Sequence, residues 1–429
     1  MRRFQMIFNP GKILILSSLI LMGTGLIVRA QTASESANTK VFNDVWQTIN
    51  DSYYDPKFNN VDWEGQRREF ASFAAHARND KELYTIIRRM IGRLRDSHTR
   101  VYRAQEKFDW KAPEFVSTGI LIREVEGEPI ILHVERGSDA YREGLRDGDV
   151  ILSVDGQNAL EIFKHKLSEI NSSTSAAGRL AAMAQLLDGE RDTFAEIVVK
   201  DNAERIRVAH VRRTLQQHTY KINLQRINSI GLITFDAFTE KTALAFIRAL
   251  KGSLRNTNGL IIDLRSNGGG EAEAMTDITS AFLPVDTRIG RFMDRSGLPQ
   301  LELRTRTVMV SAADEITSYN KPVIILTGVR TSSAAEIFTY ALQHAGRARI
   351  IGQQTCGCAL GVRRRHQLPD GGILDLSEMD YRSADGTRLE SRGVTPDELI
   401  SLQRADIAHR KDQQLERALA LLTAKKPAG

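Results

Sequence analysis

Short apolar runs alternate with amphipathic stretches over residues 214–400, and this alternation limits the fold more than any other feature of the chain. The amphipathic stretches carry apolar side chains at helical spacing, whereas the short runs have the composition of strands. The predicted strands lie at 230–235, 259–265, 322–328 and 349–353, and the predicted helices lie at about 240–254, 271–283 and 334–346. Asp370-Gly371 indicates a hairpin late in this region. The alternation predicts an α/β fold for residues 214–400.

The residues before this region fall into two segments with different patterns. Apolar residues at helical spacing in 39–54 and 80–95 predict a helical segment that ends near residues 96–99. Strand-like runs then alternate with glycine turns, and one extra helix is predicted at 171–190. The expected organisation is a multidomain α/β chain with a signal peptide at 1–30, a helical segment at 31–110, a β-rich module at 111–213, an α/β core at 214–402 and a C-terminal helix at 403–429.

The first thirty residues have the zones of a secretory signal peptide. Basic residues precede sixteen mostly apolar positions at 13–28, and small residues occupy the −3 and −1 positions of a cleavage site that ends at Ala30. The apolar zone is shorter than the ~20 residues of a spanning helix. We expect a mature chain that begins at Gln31 and works in a bacterial periplasm, with an uncleaved N-terminal membrane anchor as the alternative.

Charge and cysteine content exclude several classes of protein. The formal net charge is +6, but four of the 59 basic residues and none of the 53 acidic residues lie in the first thirty positions, so the rest of the chain is nearly balanced. A nucleic-acid partner is therefore not predicted. Two cysteines are too few for a disulfide scaffold or for a structural zinc site with four cysteine ligands. We predict no metal and no other cofactor.

A glycine-rich segment, RSNGGG at 265–270, directly follows a predicted strand. Three glycines at a strand end allow backbone N–H groups to face a ligand at close range. The segment is not a phosphate-binding P-loop, because no Lys-Ser or Lys-Thr follows the glycines. A plain turn between strand and helix is the alternative interpretation.

A serine pair stands at the start of a predicted helix, in the sequence RTSSAAEI at 330–337. A nucleophile at Ser333 would lie beside the free N–H groups of the first helical turn, and the helix dipole would stabilise a developing negative charge. The alternative is that Ser332 or Ser333 only caps the helix. Glu336, three residues into the helix, fits the capping-box partner of Ser333.

Taken together, the motifs resemble those of the C-terminal-processing peptidases, also called tail-specific proteases. The resemblance covers roughly residues 38–400. Its motifs are, in chain order, the glycine-rich strand end, the Ser-x-x-Glu helix start, the Gly-x-x-Thr-x-Gly element from Gly352 to Gly357, and the turn from Glu390 to Asp397. They stand behind a module that resembles a PDZ domain through Ala140, Gly144-Leu145, Gly148-Asp149 and Asp155-Gly156.

This resemblance implies a fold and assigns roles to individual residues. The fold would be an N-terminal helical segment, a PDZ-like β-rich module and an α/β serine-peptidase core of the crotonase/ClpP-like type. Carried over position by position, the nucleophile falls on Ser333, and the oxyanion-hole donors are the backbone N–H groups of Gly269 and Ala334. In the PDZ-like module, the loop that receives a peptide carboxylate would be Ser117, Thr118, Gly119 and Ile120, and the strand after it would accept the peptide by β-augmentation.

The family's usual general base is missing from this chain. That base is a lysine 25 residues after the serine, where Cys358 stands here, and no lysine occurs between residues 322 and 410. Arginine does not replace it, because a guanidinium keeps its proton near neutral pH. Resemblance to the tricorn-like branch of the superfamily instead implies His98 as the base and Glu390 as its orienting acid. His366 is the other candidate base.

The resulting hypothesis is an extracytoplasmic serine endopeptidase. It would bind the C-terminal tails of polypeptide substrates and cleave peptide bonds through an acyl-enzyme on Ser333. The alternative is a catalytically inactive PDZ-bearing binding or scaffold relative. An adaptor protein or a homo-oligomer is left open. Cys356 and Cys358 form either a disulfide across one residue or two free thiols beside the site.

Overall fold

The computed structural model describes residues 37–106, 109, 112–170, 172–311, 314–315 and 319–424. The expected signal peptide and its cleavage site lie outside these residues. Within them, no helix is both long enough and apolar enough to cross a membrane.

The N-terminal unit is helical, as its periodicity predicts. It consists of α1 (37–52), α2 (Trp63–Ala75), α3 (Asp80–Gly92) and the short strand β1 (Arg100–Tyr102). Asn79 caps α3 by accepting the Glu82 N–H at 2.9 Å, and the apolar faces of α1 and α3 are buried. Leucines at 360, 368, 374 and 376 complete this apolar cluster, so the helical unit packs onto a hairpin of the third unit.

The second unit is β-rich. Its strands are β2 (Glu114–Ser117), β3 (Ile120–Val125), β4 (Glu128–Val134), β5 (Val150–Val154), β6 (Gln157–Asn158), β7 (Phe194–Lys200), β8 (Ile206–Arg212) and β9 (Thr214–Gln217). Its helices are α4 (Asp139–Arg142), α5 (Ala159–Glu169) and α6 (Ser175–Ala184). The main sheet has the order β3-β4-β5-β7-β8, with β6 on β5, while β2 and β9 pair as a two-stranded stem. The extra helix predicted at 171–190 is α6, and the sequence did not predict α5.

The third unit contains the predicted α/β layer. Its main sheet has the order β10-β11-β12-β17-β18-β21, and every pair from β11 to β21 is parallel. The strands are β10 (Ile222–Ile227), β11 (Ile230–Phe235), β12 (Gly259–Asp263), β17 (Val323–Thr327), β18 (Arg349–Gly352) and β21 (Glu398–Leu399). The helices α7 (Glu240–Lys251), α8 (Ala272–Ser280) and α9 (Ala334–His344) lie where the sequence predicts them.

A second sheet completes this unit. It is formed by β13 (Arg288–Met293), β14 (Pro299–Arg304), β19 (Leu360–Gln367) and β20 (Ile373–Ser383), and β1 of the helical unit joins it beside β20. The hairpin predicted at Asp370-Gly371 joins β19 and β20. The sequence did not predict the hairpin β13–β14. A small ribbon is formed by β15 (Met309–Ser311) and β16 (Asp314–Glu315).

The C-terminal helices α10 (Arg404–Ala408) and α11 (Gln413–Thr423) return to the other units. Arg265, which follows β12, donates to Asp263 at 2.6 Å and to Asp412 at 2.8 Å, and Asp412 in turn caps α11. Arg404 donates to the carbonyl of Gly148 in the β-rich unit at 3.0 Å. The end of the chain is thereby held against both the third unit and the second.

Candidate active site

Ser333 is the last residue of the turn that leads from β17 into α9, directly before the first helical residue, Ala334. Its φ of 55° and ψ of −123° lie outside the conformations that a serine ordinarily adopts. Such strain persists only where the surrounding structure holds it, and it is found mainly at functional sites. Ser333 is the N-cap of α9, and it forms with Glu336 the capping box that the sequence predicts. An ordinary N-cap has an extended backbone, so the positive φ of Ser333 favours a role beyond capping.

The buried carboxylate of Glu336 holds this turn in place. It accepts the Ser333 N–H at 3.1 Å, the Gly357 N–H at 2.7 Å, the Cys358 N–H at 2.9 Å and the Thr355 hydroxyl at 2.5 Å. Burial raises the pKa of Glu336 to about 7, and these hydrogen bonds oppose the rise. The sequence predicted only the contact with Ser333. The structure adds a second task, because the same carboxylate fixes the loop at 355–358.

That loop contains the position where the family has its lysine. Cys358 is joined to Cys356 by a disulfide, which decides between the two states that the sequence left open. The Cys358 carbonyl accepts the Ser333 N–H at 2.8 Å, and its Sγ lies 3.4 Å from the Ser97 hydroxyl oxygen. The disulfide loop thus lies directly between the serine turn and the segment that carries His98.

The glycine-rich strand end lies against the serine. A Cβ added to Gly269, whose φ is 98°, would lie 2.6 Å from the Cβ of Ser333 and 3.1 Å from the backbone nitrogen of Ala334. Only glycine therefore fits at position 269. The Gly269 N–H, however, donates at 2.9 Å to the side chain of buried Asn267. The structure brings the two predicted oxyanion-hole residues together, but it directs the Gly269 N–H to Asn267.

His98 lies in a turn that Asp96 stabilises. Asp96 accepts the His98 backbone N–H at 2.7 Å and also accepts a hydrogen bond from the Thr99 hydroxyl. The His98 side chain is half-buried, and its Nδ1 is a buried atom without a hydrogen-bond partner among the residues that the structure describes. Burial lowers the pKa of His98 to about 4, against the effect of Asp96. The ring is therefore neutral at neutral pH, the state that a general base requires.

Glu390 is buried beside the same loop. It accepts the Ala359 N–H at 2.7 Å, one residue after Cys358. Burial raises the pKa of Glu390 to about 8; a hydrogen bond from the Ser173 hydroxyl opposes this rise, and the negative charge of Asp96 adds to it. The chain thus gathers the serine turn, Glu390 and the His98 turn around residues 356–359. In the described part of the chain, no hydrogen bond joins the imidazole of His98 to Ser333 or Glu390.

The other candidate base, His366, lies on β19. Its Nε2 is a buried atom 3.5 Å from a carboxylate oxygen of Glu378 on the neighbouring strand. Five residues of the strand separate His366 from Leu360, the first residue of β19 after the disulfide loop. The structure gives His366 a carboxylate neighbour of its own, away from the serine turn.

The loop predicted to receive a peptide carboxylate, Ser117 to Ile120, joins the stem strand β2 to β3. Gly119 has a φ of 73°, and its N–H donates to the Ser117 hydroxyl at 3.0 Å. Ile120 begins β3, which is an edge strand because it pairs only with β4. Beside β3 lies α6, and Arg179 of α6 pairs with Glu124 of β3.

Comparison with known families adds to this geometry. Residues 229–400 match Peptidase family S41, and residues 35–92 match the Tricorn protease C1 domain. The first match contains the glycine-rich strand end, Ser333 and Glu390. The chain thus contains a Peptidase family S41 domain over residues 229–400. It is therefore a serine-type peptidase, a hydrolase.

Carboxyl-terminal-processing proteases match this chain over most of its length. This chain is 27% identical over 416 residues to the carboxyl-terminal-processing protease of Synechocystis sp. The aligned region covers 94% of this chain and 92% of the relative. This chain is 24% identical over 386 residues to the carboxy-terminal processing protease CtpA of Bacillus subtilis. The aligned region covers 88% of this chain and 75% of the relative.

Two solved structures have the same fold as this chain. Mature CPAF matches with a TM-score of 0.67 at 13% identity and covers 91% of this chain and 97% of its own. The photosystem II D1 C-terminal processing protease matches with a TM-score of 0.57 at 21% identity and covers 91% of this chain and 98% of its own.

Sequence reasoning missed several residues that build the site. Ser97 lies in the DSHT sequence at 96–99 but was given no role, and Ser173, 76 positions further along the chain, carries no motif. Asn267 was noted only as part of a glycine-rich run, although it is fully buried and bonds both Gly269 and the Phe235 carbonyl. A buried polar side chain such as Asn267 has no periodic signal in a sequence, and one of its partners, the Phe235 carbonyl, is supplied by another strand.

The buried carboxyl of Glu336 leads to a prediction about stability. A carboxyl whose pKa is raised in the folded state binds its proton more tightly there, so wild-type stability should fall as the pH rises from about 4.5 towards about 7. Glu336→Gln should reduce this slope, because the amide does not titrate. It should also lower the stability at pH 5 by about 1–3 kcal/mol, since the amide nitrogen would face backbone donors.

Urea unfolding at several pH values between 4.5 and 8 measures both effects. Glu240→Gln, the same change in the first turn of α7 at an exposed carboxylate, is the matched control. A Glu336→Gln protein with the pH slope and the stability of the control would contradict the role given to Glu336.

Proposed function

We propose that this S41 peptidase is an extracytoplasmic endopeptidase that processes polypeptides near their C-termini through an acyl-enzyme on Ser333. The observation that carries the proposal is the convergence of a strained serine turn, a neutral histidine turn and a buried carboxylate on residues 356–359. The names of the relatives support the substrate class, since they are called carboxyl-terminal-processing proteases. The disulfide between Cys356 and Cys358 supports an oxidising compartment, as does the predicted signal peptide.

In the proposed mechanism, the His98 imidazole removes the proton of the Ser333 hydroxyl as the oxygen attacks the carbonyl carbon of the substrate. The backbone N–H of Ala334, at the start of α9, stabilises the oxyanion, and the Gly269 N–H joins it when Asn267 releases it. The protonated imidazole then gives its proton to the leaving amine, which frees the acyl-enzyme for attack by water. Glu390 stabilises the imidazolium and fixes the tautomer of the ring once the carboxyl is ionised, which its pKa of about 8 places in mildly alkaline solution.

The unpartnered Nδ1 of His98 fits this mechanism. A buried nitrogen without a partner is costly, and a hydrogen bond to Glu390 would remove that cost. Catalytic hydrogen bonds are often long in a free enzyme and tighten once substrate is bound. We therefore infer that the His98–Glu390 contact forms when substrate occupies the site.

We also propose that residues 111–213 act as a PDZ-like module and that the 214–402 core is of the crotonase/ClpP-like type. A substrate tail would add as a strand to the free edge of β3, with α6 along its other side. The tail carboxylate would accept the Gly119 N–H in place of the Ser117 hydroxyl. The free edge of β3 and the positive φ of Gly119 support this mode of binding.

Mutation of the proposed triad tests the mechanism in the 31–429 chain. Ser333→Ala and His98→Ala should each lower kcat for a fluorogenic peptide by about 10⁴-fold or more, and Glu390→Ala should lower it less, because the orienting acid is the most dispensable member. His366→Ala is the control and should keep wild-type turnover. Loss of turnover in His366→Ala with retention in His98→Ala would overturn the assignment of the base.

Amidation of the substrate tail tests the binding mode. A peptide with a free C-terminal carboxylate and the same peptide with a C-terminal amide differ only in the group that Gly119 would bind. The amide should raise KM by about tenfold or more, the size expected when a charged hydrogen bond is lost, and should change kcat little. Equal kcat/KM for the two peptides would contradict recognition of the tail carboxylate.

A further inference from the structure

The start of α6 touches the catalytic cluster, although it belongs to the β-rich module. The Thr174 hydroxyl, which caps α6, donates to the Cys356 carbonyl at 2.6 Å. A Cβ added to Gly357 would lie 2.7 Å from the methyl group of Thr174, and Ala177 packs against the disulfide. The module therefore reaches the loop that lies beside the serine turn.

Ser173, one residue before Thr174, is paired with Ser97. The Ser97 N–H donates to the Ser173 hydroxyl at 3.2 Å, and the Ser173 N–H donates to the Ser97 hydroxyl at 3.0 Å. These reciprocal hydrogen bonds fix the backbone directly before His98. A residue of the second unit thus sets the position of the turn that carries the proposed base.

The same hydroxyl also affects the pKa of Glu390. A serine hydroxyl has one proton to donate and two lone pairs that accept. Because the Ser173 oxygen accepts the Ser97 N–H, its proton remains available, and its hydrogen bond to Glu390 lowers the pKa of that carboxyl against the effect of burial. Ser173 therefore contacts the segment before His98, and it lowers the pKa of the carboxyl proposed to orient His98.

We propose that Ser173, which the 111–213 module supplies, is a positioning residue for catalysis. It holds the Glu390 carboxylate and the His98 turn in fixed positions relative to each other. This inference rests on the proposed Ser333–His98–Glu390 mechanism and goes beyond it, because it makes the site incomplete without the second unit. Ser173 acts through Glu390 and His98 and does not itself touch the reacting atoms.

The charges around Glu390 determine what loss of Ser173 would do. Glu390 is faced by the carboxylates of Asp96 and Glu336 and lies near the hydroxyls of Tyr53 and Tyr54. Without the Ser173 hydroxyl, the Ala359 N–H would be its remaining hydrogen-bond donor among the described residues. Glu390 would then ionise at higher pH, and the acid limb of the pH–kcat profile would move in the same direction.

Steady-state kinetics of the full 31–429 chain with the fluorogenic peptide test the proposal. Ser173→Ala should lower kcat by about 10- to 100-fold, the effect of removing one hydrogen bond to a charged group, while KM stays within about twofold. The acid limb of the pH–kcat profile of Ser173→Ala should move to higher pH. Ser173→Thr, which keeps a hydroxyl, should recover a large part of kcat, and Ser175→Ala, at an exposed serine two residues later, should match wild type.

Two results would overturn the proposal. One is wild-type kcat and an unchanged acid limb in Ser173→Ala. The other is a loss of kcat that Ser173→Thr does not reverse and that leaves the acid limb in place, which would indicate a purely structural role. Failure of the underlying mechanism gives a different result. If Ser333→Ala or His98→Ala keeps wild-type turnover, the proposed triad is wrong, and so is the role of Ser173. If those variants are inactive and Ser173→Ala has the kcat and the acid limb of the wild type, only the role of Ser173 is wrong.

Discussion

The buried carboxylate of Glu336 is the interaction on which the rest of the site depends. One side chain joins the turn after β17 to the loop at 355–358 by accepting hydrogen bonds from both. Its burial is unfavourable for a charge, and four donors offset that cost. The strained backbone of Ser333 persists because Glu336 and the Cys358 carbonyl hold the same N–H. The proposed oxyanion donors, the disulfide and Glu390 all lie beside the two segments that Glu336 joins.

The site also depends on the meeting of three units. The helical unit supplies the His98 turn, the β-rich module supplies Ser173 and Thr174, and the α/β core supplies Ser333 and Glu390. The disulfide loop contacts all three, and it occupies the place where relatives with a Ser–Lys pair would have their base. A chain without that lysine needs a base from elsewhere, and the neutral, half-buried ring of His98 is the group that we propose for this role.

Local patterns in the sequence were enough to predict the elements of the fold. The helical spacing of Phe42, Val45 and Ile49 and of Leu83, Ile87 and Met90 correctly gave α1 and α3, and apolar runs gave β11, β12 and β17. The hairpin β13–β14 and α5 were missed because their short amphipathic stretches carry no distinct period. For the site, the motifs indicated Ser333 and Glu390. The contacts of Ser173, Ser97 and Asn267 could not be predicted, because each depends on residues brought together by tertiary packing.

Covalent labelling of the 31–429 chain with a fluorophosphonate, followed by mapping of the modified peptide, tests the central claim most directly. Such a probe reacts with a serine whose hydroxyl is activated by a neighbouring base. The account predicts an adduct on Ser333 in the wild type and none in His98→Ala, although that variant keeps the serine. A folded wild-type protein that does not label, or a His98→Ala protein that labels at the wild-type rate, would contradict it.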